Sequence, residues 1–334
     1  MLISAIVPVY NLEHLVSRCL DSLVRQTHAE LEIICIDDGS TDGSAAILEQ
    51  AARQDKRIQV IAKRNEGLPM ARKTGIDRAS GEFIIHVDGD DYLEPDAIEG
   101  LAGRQHETDA DIVVSDYFSE MEDGSGRKMC TDYHFDVLDG KTFLRALLTE
   151  EKYFIWGKLI RTSLCREISI PHDIHYTEDM VGMVQLAALA RTVAKLDRPL
   201  YHYIKRSGAF THAPGARSFK DWYRAVRLTG DYCRALPDGA QFRQLLLDRE
   251  TVQADVYLRN TRTTGYYRKD IRSLVWKLLL HYRNEGRHAL AKLPGSNRLF
   301  LTAALISQRL ASCAHTLYAK SYRCPPPGKK SSSR

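Results

Sequence analysis

The sequence predicts an α/β fold built on a mostly parallel sheet, with a helical C-terminal region. Three observations carry this. From residue 3 to 116, short β-branched apolar runs alternate with longer segments whose apolar residues recur at helical spacing. Carboxylates gather where two of the predicted strands end, at Asp37-Asp38 and at Asp88-Gly89-Asp90-Asp91. From Lys141 onward helical patterns dominate, with one short β-like segment at 199–204. Parallel α/β sheets bind ligands at the carboxyl ends of their strands, so the second observation also says where the chemistry belongs.

The first strand is read over 4–9, apolar and closed by Pro8 and Asn11. Leu12, Leu15, Val16, Cys19, Leu20 and Leu23 then give a helix over 12–26. A second strand at 31–36 is followed by a helix at 44–53 and a third strand at 58–62. A helix at 68–79 leads to a strand at 83–87, in which His86 reads as a packing residue. Pro95 sits near the start of a helix at 95–105, and 112–115 is a further strand. This βαβαβαβαβ order implies helices on both faces of the sheet. Residues 120–140 are polar and glycine-rich and read as a loop or hairpin excursion. Nearly all of 221–317 reads as helix, and the Pro, Lys and Ser of 325–334 read as a disordered tail. The expected organisation is an α/β domain over 1–215, a helical region over 216–324 and a basic tail over 325–334.

At 334 residues and 44% apolar content, the chain can build one large domain with an appendage, or two domains. Its net charge of +4 conceals an asymmetry. Residues 217–334 hold 23 Lys and Arg against 8 Asp and Glu, a net +15, and the remainder holds 24 against 35, a net −11. A basic third suggests an anionic partner, for which lipid headgroups and nucleic acid both qualify. A solvated Arg-rich surface is the plain alternative. The seven cysteines show no C-x-x-C pair and no zinc spacing, so reduced cytosolic thiols are expected, with Cys19 and Cys35 in the core. The chain opens directly into a strand pattern, so no signal peptide is expected, and it has no apolar run long enough for a spanning helix.

Three carboxylates as close as Asp88, Asp90 and Asp91 repel one another unless a cation sits between them. Oxygen donors at an open loop suit Mg2+ or Mn2+, which commonly bridge a protein to a diphosphate. A turn with one Asp capping the next helix is the plain alternative. The run Asp37-Asp38-Gly39-Ser40-Thr41-Asp42 suits recognition of a nucleoside, because a carboxylate can accept from a base N–H or a ribose hydroxyl. Helix capping by Thr41, Asp42 or Ser44 does not explain the adjacent pair at a strand end.

Together these segments resemble family 2 glycosyltransferases. The likeness rests on Val7-Pro8-Val9-Tyr10-Asn11, Ile36-Asp37-Asp38-Gly39-Ser40-Thr41-Asp42, Asn65-Glu66-Gly67, Ala71-Arg72, Gly81-Glu82-Phe83-Ile84 and Val87-Asp88-Gly89-Asp90-Asp91. It is dense over 3–117 and extends more weakly to about residue 208. It implies a GT-A fold and inverting transfer of a hexosyl or N-acetylhexosaminyl group from a nucleotide-diphosphate sugar, with Mg2+ or Mn2+. The implied acceptor is a hydroxyl of a glycan or lipid-linked molecule, in synthesis of cell-envelope polysaccharide.

The resemblance assigns roles by position. Pro8, Tyr10 and Asn11 line the nucleotide, and Asp37 or Asp38 holds its base or ribose. Arg72 lies near the diphosphate or sugar. Asp88, Gly89 and Asp90 form the D-x-D, with Asp90 the direct metal ligand and Asp88 assisting, and Asp91 contacts the sugar. Lys73 departs from the pattern, which has Asn there. Trp156-Gly157-Lys158-Leu159 matches the W-x-K-L segment bordering the acceptor, where Trp156 can stack on a sugar face. Glu178-Asp179, with Thr177 as a cap, supplies an acceptor contact and the general base Asp179. In the closing segment, Arg206 can neutralise the leaving diphosphate and His212 can reach the metal.

Two rivals come from other classes. A phosphoacceptor signalling domain also binds Mg2+ with clustered Asp residues, but it is shorter and needs a Lys at its last strand end. A non-catalytic sugar-binding module could keep the fold without turnover. A dehydrogenase is excluded, because no G-x-G-x-x-G follows the first strand. Leu299, Phe300, Ala303, Ala304, Ile306, Leu310, Cys313, Ala314 and Leu317 fall at helical spacing among Arg and Lys. That pattern suits a helix lying in an anionic membrane interface, giving a cytoplasmic protein peripheral at the inner face of the cell membrane. A helix packed on the body is the alternative. No nucleic-acid partner is expected, since no RNA-binding signature accompanies the aromatic residues.

Overall fold

A computed structural model describes residues 1–206, 216–243 and 245–246, with no account of the side chains of 216–220. The chain divides into two units, Met1–Gly239 and Ala240–Arg334. Of the second, only 240–243 and 245–246 are described. The interfacial stripe at 299–317, the basic tail and His212 all lie outside the described residues.

The first unit begins as the periodicity predicts. It runs β1 (Ile3–Val9), α1 (Val16–Val24), β2 (Leu31–Asp37), α2 (Ser44–Gln54), β3 (Ile58–Ala62), α3 (Leu68–Arg78) and β4 (Phe83–His86). It continues through β5 (Tyr92–Leu93), α4 (Ala97–Thr108) and β6 (Ile112–Met121). Strands β7 (Lys128–Cys130) and β8 (Val137–Asp139) precede α5 (Gly140–Glu150), β9 (Lys158–Arg161) and α6 (Thr162–Glu167). The unit closes with α7 (Glu178–Leu189), β10 (Thr192–Lys205) and α8 (Ala216–Ala235). Helix α8 therefore belongs with the sheet, although the sequence groups it with the C-terminal region.

One sheet runs in the order β3-β2-β1-β4-β9-β6-β10-β5, with β7 added to β6 and β8 to β10. Strands β1 to β4 pair in parallel, as do β6 and β10. Every residue of β1 and β2 is buried, as expected of central parallel strands covered on both faces. Cys19 and Cys35 are in this core. Pro8 is tolerated in a central strand because β4 has left the ladder at that level. The Val87 N–H donates to the Ile6 carbonyl, and β1 pairs with β4 no further than Ile6–His86.

Four elements differ most from the sequence reading. Strand β9 has no counterpart there: four residues are too few to show an alternation, yet they run antiparallel to both β4 and β6. Strands β6 and β10 are far longer than 112–115 and 199–204. Their polar residues disguise them, because they are paired inside the sheet. The Lys195 ammonium meets the Asp116 carboxylate at 2.7 Å with both groups buried, and β10 shifts register around Pro199. Helix α1 starts at Val16 rather than 12, because residues 12–15 form a turn whose Leu12 N–H donates to Ser44 Oγ. The excursion at 120–140 is a hairpin in part, with β7 antiparallel to β6.

Candidate active site

The parallel half of the sheet brings the ends of β1, β2 and β4 to one edge. There the loops after β1 and β2 clamp each other. Asn11, held at φ 53°, accepts from the Thr41 N–H at 2.8 Å, and its own N–H donates to Ser40 Oγ. Asp42 accepts from the Glu13 N–H, and Glu13 accepts from the Gly43 N–H at 2.7 Å. Tyr10 projects from this edge with half its surface exposed.

The adjacent pair Asp37-Asp38 divides its labour. The Asp38 carboxylate accepts from the Glu66 and Gly67 N–H groups and from Lys63 Nζ, so it anchors the loop between β3 and α3. Among the described residues Asp37 Oδ1 accepts only the Ser40 N–H, at 3.0 Å, an Asx-type turn that keeps the carboxylate at the end of β2. Gly39 makes that turn possible: its φ is 76°, and a Cβ there would stand 2.8 Å from the Asn65 nitrogen.

After β4 the chain turns through Asp88-Gly89-Asp90-Asp91, the Asp91 N–H donating to the Asp88 carbonyl. Gly89 is required by close approach to β1, since a Cβ would meet the Pro8 carbonyl at 3.0 Å and a Leu12 methyl at 2.9 Å. The three carboxylates then separate. Asp88 accepts from Arg72 Nη2 at 2.8 Å and Asp90 from Arg206 Nε at 2.9 Å. Burial and the neighbouring Asp88 charge push the Asp90 carboxyl up, and Arg206 opposes them. Asp91 is 2% exposed, with one oxygen taking the Tyr201 hydroxyl at 2.6 Å and the other the Ile204 N–H at 2.8 Å. The expected sugar contact by Asp91 is corrected here, because both its oxygens tie the loop to β10. Sequence reasoning assigns Tyr201 no role. In the fold its hydroxyl also accepts from the Asp88 N–H, so it sets the position of the whole acidic loop.

The centre of the site is Arg72. Its side chain is only 5% exposed, and it bonds three carboxylates from distant parts of the chain. Nη2 donates to Asp88, while Nη1 donates to Asp179 at 2.6 Å and to Glu178 at 3.2 Å. The resemblance puts Arg72 near the diphosphate or sugar; in the fold it is the buried link between the D-x-D loop and the first turn of α7. A sequence signal exists for this. Arg72 shares the buried face of α3 with Pro69, Ala71, Gly75 and Ile76, and a cation on a buried face must be paired.

Glu178 and Asp179 open α7. Thr177 is no cap: it has φ 64°, and its hydroxyl donates to the Tyr176 carbonyl. The second Asp179 oxygen accepts from the Ile155 N–H at 3.3 Å. Burial pushes the Asp179 carboxyl up, Arg72 pulls it down and Asp88 adds to the rise. Glu178 is pushed up to about 8 by burial and then by the Asp179 charge. A buried carboxylate whose proton affinity is raised is what a general base near neutral pH requires.

Trp156 does not present a face to a sugar. It is 6% exposed and stacks on Tyr201 at 4.4 Å, Tyr203 at 5.6 Å and Phe154 at 4.7 Å between ring centroids. The expected stacking platform is thus a packing residue that supports β10. Lys158 of the same segment is buried, donates to the Phe154 carbonyl and is pushed down to about 8 by burial. His86 is fully buried and held near 3, as a packing residue of β4 would be. Lys73 is exposed and pairs with Asp77.

A mostly parallel sheet flanked by helices, with an acidic D-x-D loop at its edge, is the GT-A class of fold. The chain belongs to glycosyl transferase family 2, whose model matches residues 4–169. It is 36% identical over 208 residues to the putative glycosyltransferase EpsH of Bacillus subtilis, an alignment covering 60% of each chain. It is 33% identical over 218 residues to the glycosyltransferase GlyG of Streptococcus pneumoniae, covering 62% of this chain and 72% of that one. The chain therefore spans less than two thirds of EpsH but more of GlyG. The crystal structure of S. aureus TarS 1–349 in complex with UDP-GlcNAc shares the fold, with a TM-score of 0.69 at 21% identity over 97% of this chain and 93% of that one. Among the described residues, no helix is long and apolar enough to cross a membrane.

Proposed function

We propose that the protein transfers a hexosyl or N-acetylhexosaminyl group, with inversion, from a nucleotide-diphosphate sugar to a hydroxyl of a glycan or lipid-linked acceptor in cell-envelope polysaccharide synthesis. The observation that carries this is the Arg72 bridge, which sets Asp88 of the donor edge and Asp179 of α7 on one guanidinium. The UDP-GlcNAc bound to TarS supports a nucleotide-sugar donor.

The donor edge divides its tasks among residues already placed. Tyr10 offers an exposed ring to the base, and Asn11 and Pro8 shape the loop beneath it. Asp37 takes the base or ribose, because Asp38 is committed to the β3–α3 loop. Asp88 and Asp90 fit a divalent cation. Each gives one oxygen to an arginine and keeps the other without a protein partner among the described residues. Mg2+ and Mn2+ are commonly held by one or two carboxylates, with diphosphate oxygens and water completing the shell. Among the described residues no set of three His, Cys, Asp or Glu forms a closed cage. Such a cation, when bound, neutralises charge on the leaving diphosphate.

Asp179 removes the proton of the acceptor hydroxyl as its oxygen bonds the anomeric carbon. The bond from that carbon to the diphosphate breaks, and its electron pair leaves on the phosphate oxygen. Arg72 keeps the Asp179 carboxylate oriented, Glu178 contacts the acceptor and Arg206 brings a cation beside Asp90. Cytoplasmic location with residues 298–334 on the inner face of the membrane completes the reading. Their Lys and Arg supply roughly 1 kcal/mol each near an anionic surface. Flotation on anionic but not neutral vesicles, lost on removing 298–334, tests that part. The activity is tested by a binding and hydrolysis screen of nucleotide sugars with Mn2+. Binding and slow hydrolysis of one or two sugars is the expected result. Binding without turnover on any acceptor would favour a sugar-binding module instead.

A further inference from the structure

We propose that Lys158 is a positioning residue for the base: through the one peptide group between Phe154 and Ile155, its ammonium fixes and polarises the N–H that holds the Asp179 carboxylate. This rests on the glycosyltransferase reading above and adds a residue to it. The Lys158 ammonium donates to the Phe154 carbonyl. The Ile155 N–H donates to Asp179 Oδ2 at 3.3 Å. That carbonyl and that N–H are the two ends of a single peptide unit, which is planar and rigid. A cation at its oxygen strengthens the donor at its nitrogen, because hydrogen bonds in a chain polarise one another. Arg72 Nη1 donates to the other Asp179 oxygen at 2.6 Å. Each oxygen of the base therefore answers to a different cation.

The segment keeps that peptide in place. Gly157 holds φ 65°, where a Cβ would stand 3.2 Å from the Tyr201 ring. Its N–H donates to the His86 carbonyl at 3.2 Å, and its own carbonyl accepts from the Ser115 hydroxyl at 3.2 Å. The turn brings Lys158 back to the carbonyl of Phe154, whose ring is stacked on Trp156. Lys158 is 6% exposed, and among the described residues its ammonium makes no direct ion pair. A buried ammonium without a counter-charge is costly. Burial pushes it down to about 8, and Asp132 and then Asp179 oppose the fall. Asp132 lines the same narrow pocket as Lys158, with Asp116, Tyr117 and Tyr133; its volume of about 10 Å3 is room for about one water. Asp179 meets Lys158 across the peptide. The other charges around Asp179 are Arg72 from α3, Asp88 from the loop after β4 and Glu178 from α7 itself.

The test reads Lys158 directly. Lysine labelled with carbon-13 at Cε is followed by NMR on the full chain from about pH 6 to 9.5, and the Lys158 signal is the one missing from Lys158→Arg. Asp179→Asn removes the charge and keeps an oxygen for the Ile155 N–H. A charge about 8 Å away, across one peptide group and two hydrogen bonds, moves a titration by about 0.5–1.5 pH units in a partly buried site. The Lys158 midpoint is expected to fall by that much in Asp179→Asn. Proton linkage is reciprocal, so Lys158→Met should move the acidic limb of the kcat/KM profile upward by a similar amount, on whichever nucleotide sugar the screen finds. Lys158→Arg should restore the limb, and UDP affinity should stay within twofold in both variants. A Lys158 midpoint that falls by less than about 0.5 pH unit in Asp179→Asn overturns the proposal, as does an unmoved acidic limb in a folded Lys158→Met. Should Lys158→Met fail to fold, the Asp179→Asn titration decides. A shifted Lys158 midpoint in a protein that turns over no nucleotide sugar would keep the coupling and remove the glycosyltransferase reading instead.

Discussion

Replacing Arg72 by Met would remove the buried charge that one buried and two half-buried carboxylates share. Asp88, Glu178 and Asp179 have side-chain exposures of 24%, 9% and 19%, and all bond the one guanidinium. Methionine fills much of the same volume, so the loss is electrostatic rather than a cavity. Breaking a buried ion pair by deleting one partner costs about 3–5 kcal/mol, because the other charge stays buried and unpaired. For a unit of this size each kcal/mol lowers the thermal midpoint by roughly 2–4 °C, which gives a fall on the order of 6–20 °C at pH 7.5. The direction with pH follows from the same charges. Burial already pushes Glu178 and Asp179 up, and Arg72 opposes it. Without Arg72 their folded-state values rise further above the unfolded ones. The penalty is then small below the unfolded carboxyl values and grows as pH rises through the folded ones. Differential scanning calorimetry of wild type and Arg72→Met from pH 5 to 8.5 should show the two midpoints converge on acidification. Adding Glu178→Gln to Arg72→Met should recover part of the loss at pH 7.5. A difference under about 1 kcal/mol, well below the deletion cost of a buried pair, or one that does not change with pH, would refute the idea of a shared buried cation.

Three further outcomes are expected. Asp90→Asn should keep the fold and lose transfer on the order of 10²–10³-fold, the effect of deleting one electrostatic stabiliser; full activity of that variant in chelator would remove the metal from the mechanism. Asp179→Asn should keep nucleotide-sugar affinity by calorimetry and lose ~10²–10⁴-fold in transfer, whereas lost donor binding with near-normal transfer would place the base elsewhere. Glu178 has its folded value raised to about 8, so the stability it provides is present below its unfolded value and lost as pH rises through about 8. Glu178→Gln should therefore flatten the fall in thermal midpoint between pH 6 and 9, by up to about 1.4 kcal/mol for every tenfold gain in proton affinity on folding, and parallel curves for the two proteins would count against it.

The sequence by itself determined the parts that are local. Short apolar runs marked β1 to β4 and apolar residues at helical spacing marked α1 to α4, because β1, β2 and β4 are buried on both faces and the helices on one. The same local reading put Pro8, Asp37, Asp88 and Asp90 at strand ends, and there the structure has them. The tertiary structure decided everything that depends on who stands opposite. Strand β9 has no pattern of its own and exists because β4 and β6 flank it. β6 and β10 keep polar residues inside the sheet because Asp116 and Lys195 neutralise each other there. Asp91, read as a sugar contact, is a tie to Tyr201 and Ile204, 110 and 113 residues away in sequence. Trp156, read as a platform, has its ring taken up by Tyr201, Tyr203 and Phe154. Arg72 shows the division most plainly. Its place on a buried helical face could be read from α3 alone, and so could its need for a partner. Which carboxylates supply that partner could not, since Glu178 and Asp179 lie 106 and 107 residues on. A charge in the interior states that it must be neutralised, and only the folded chain says by what.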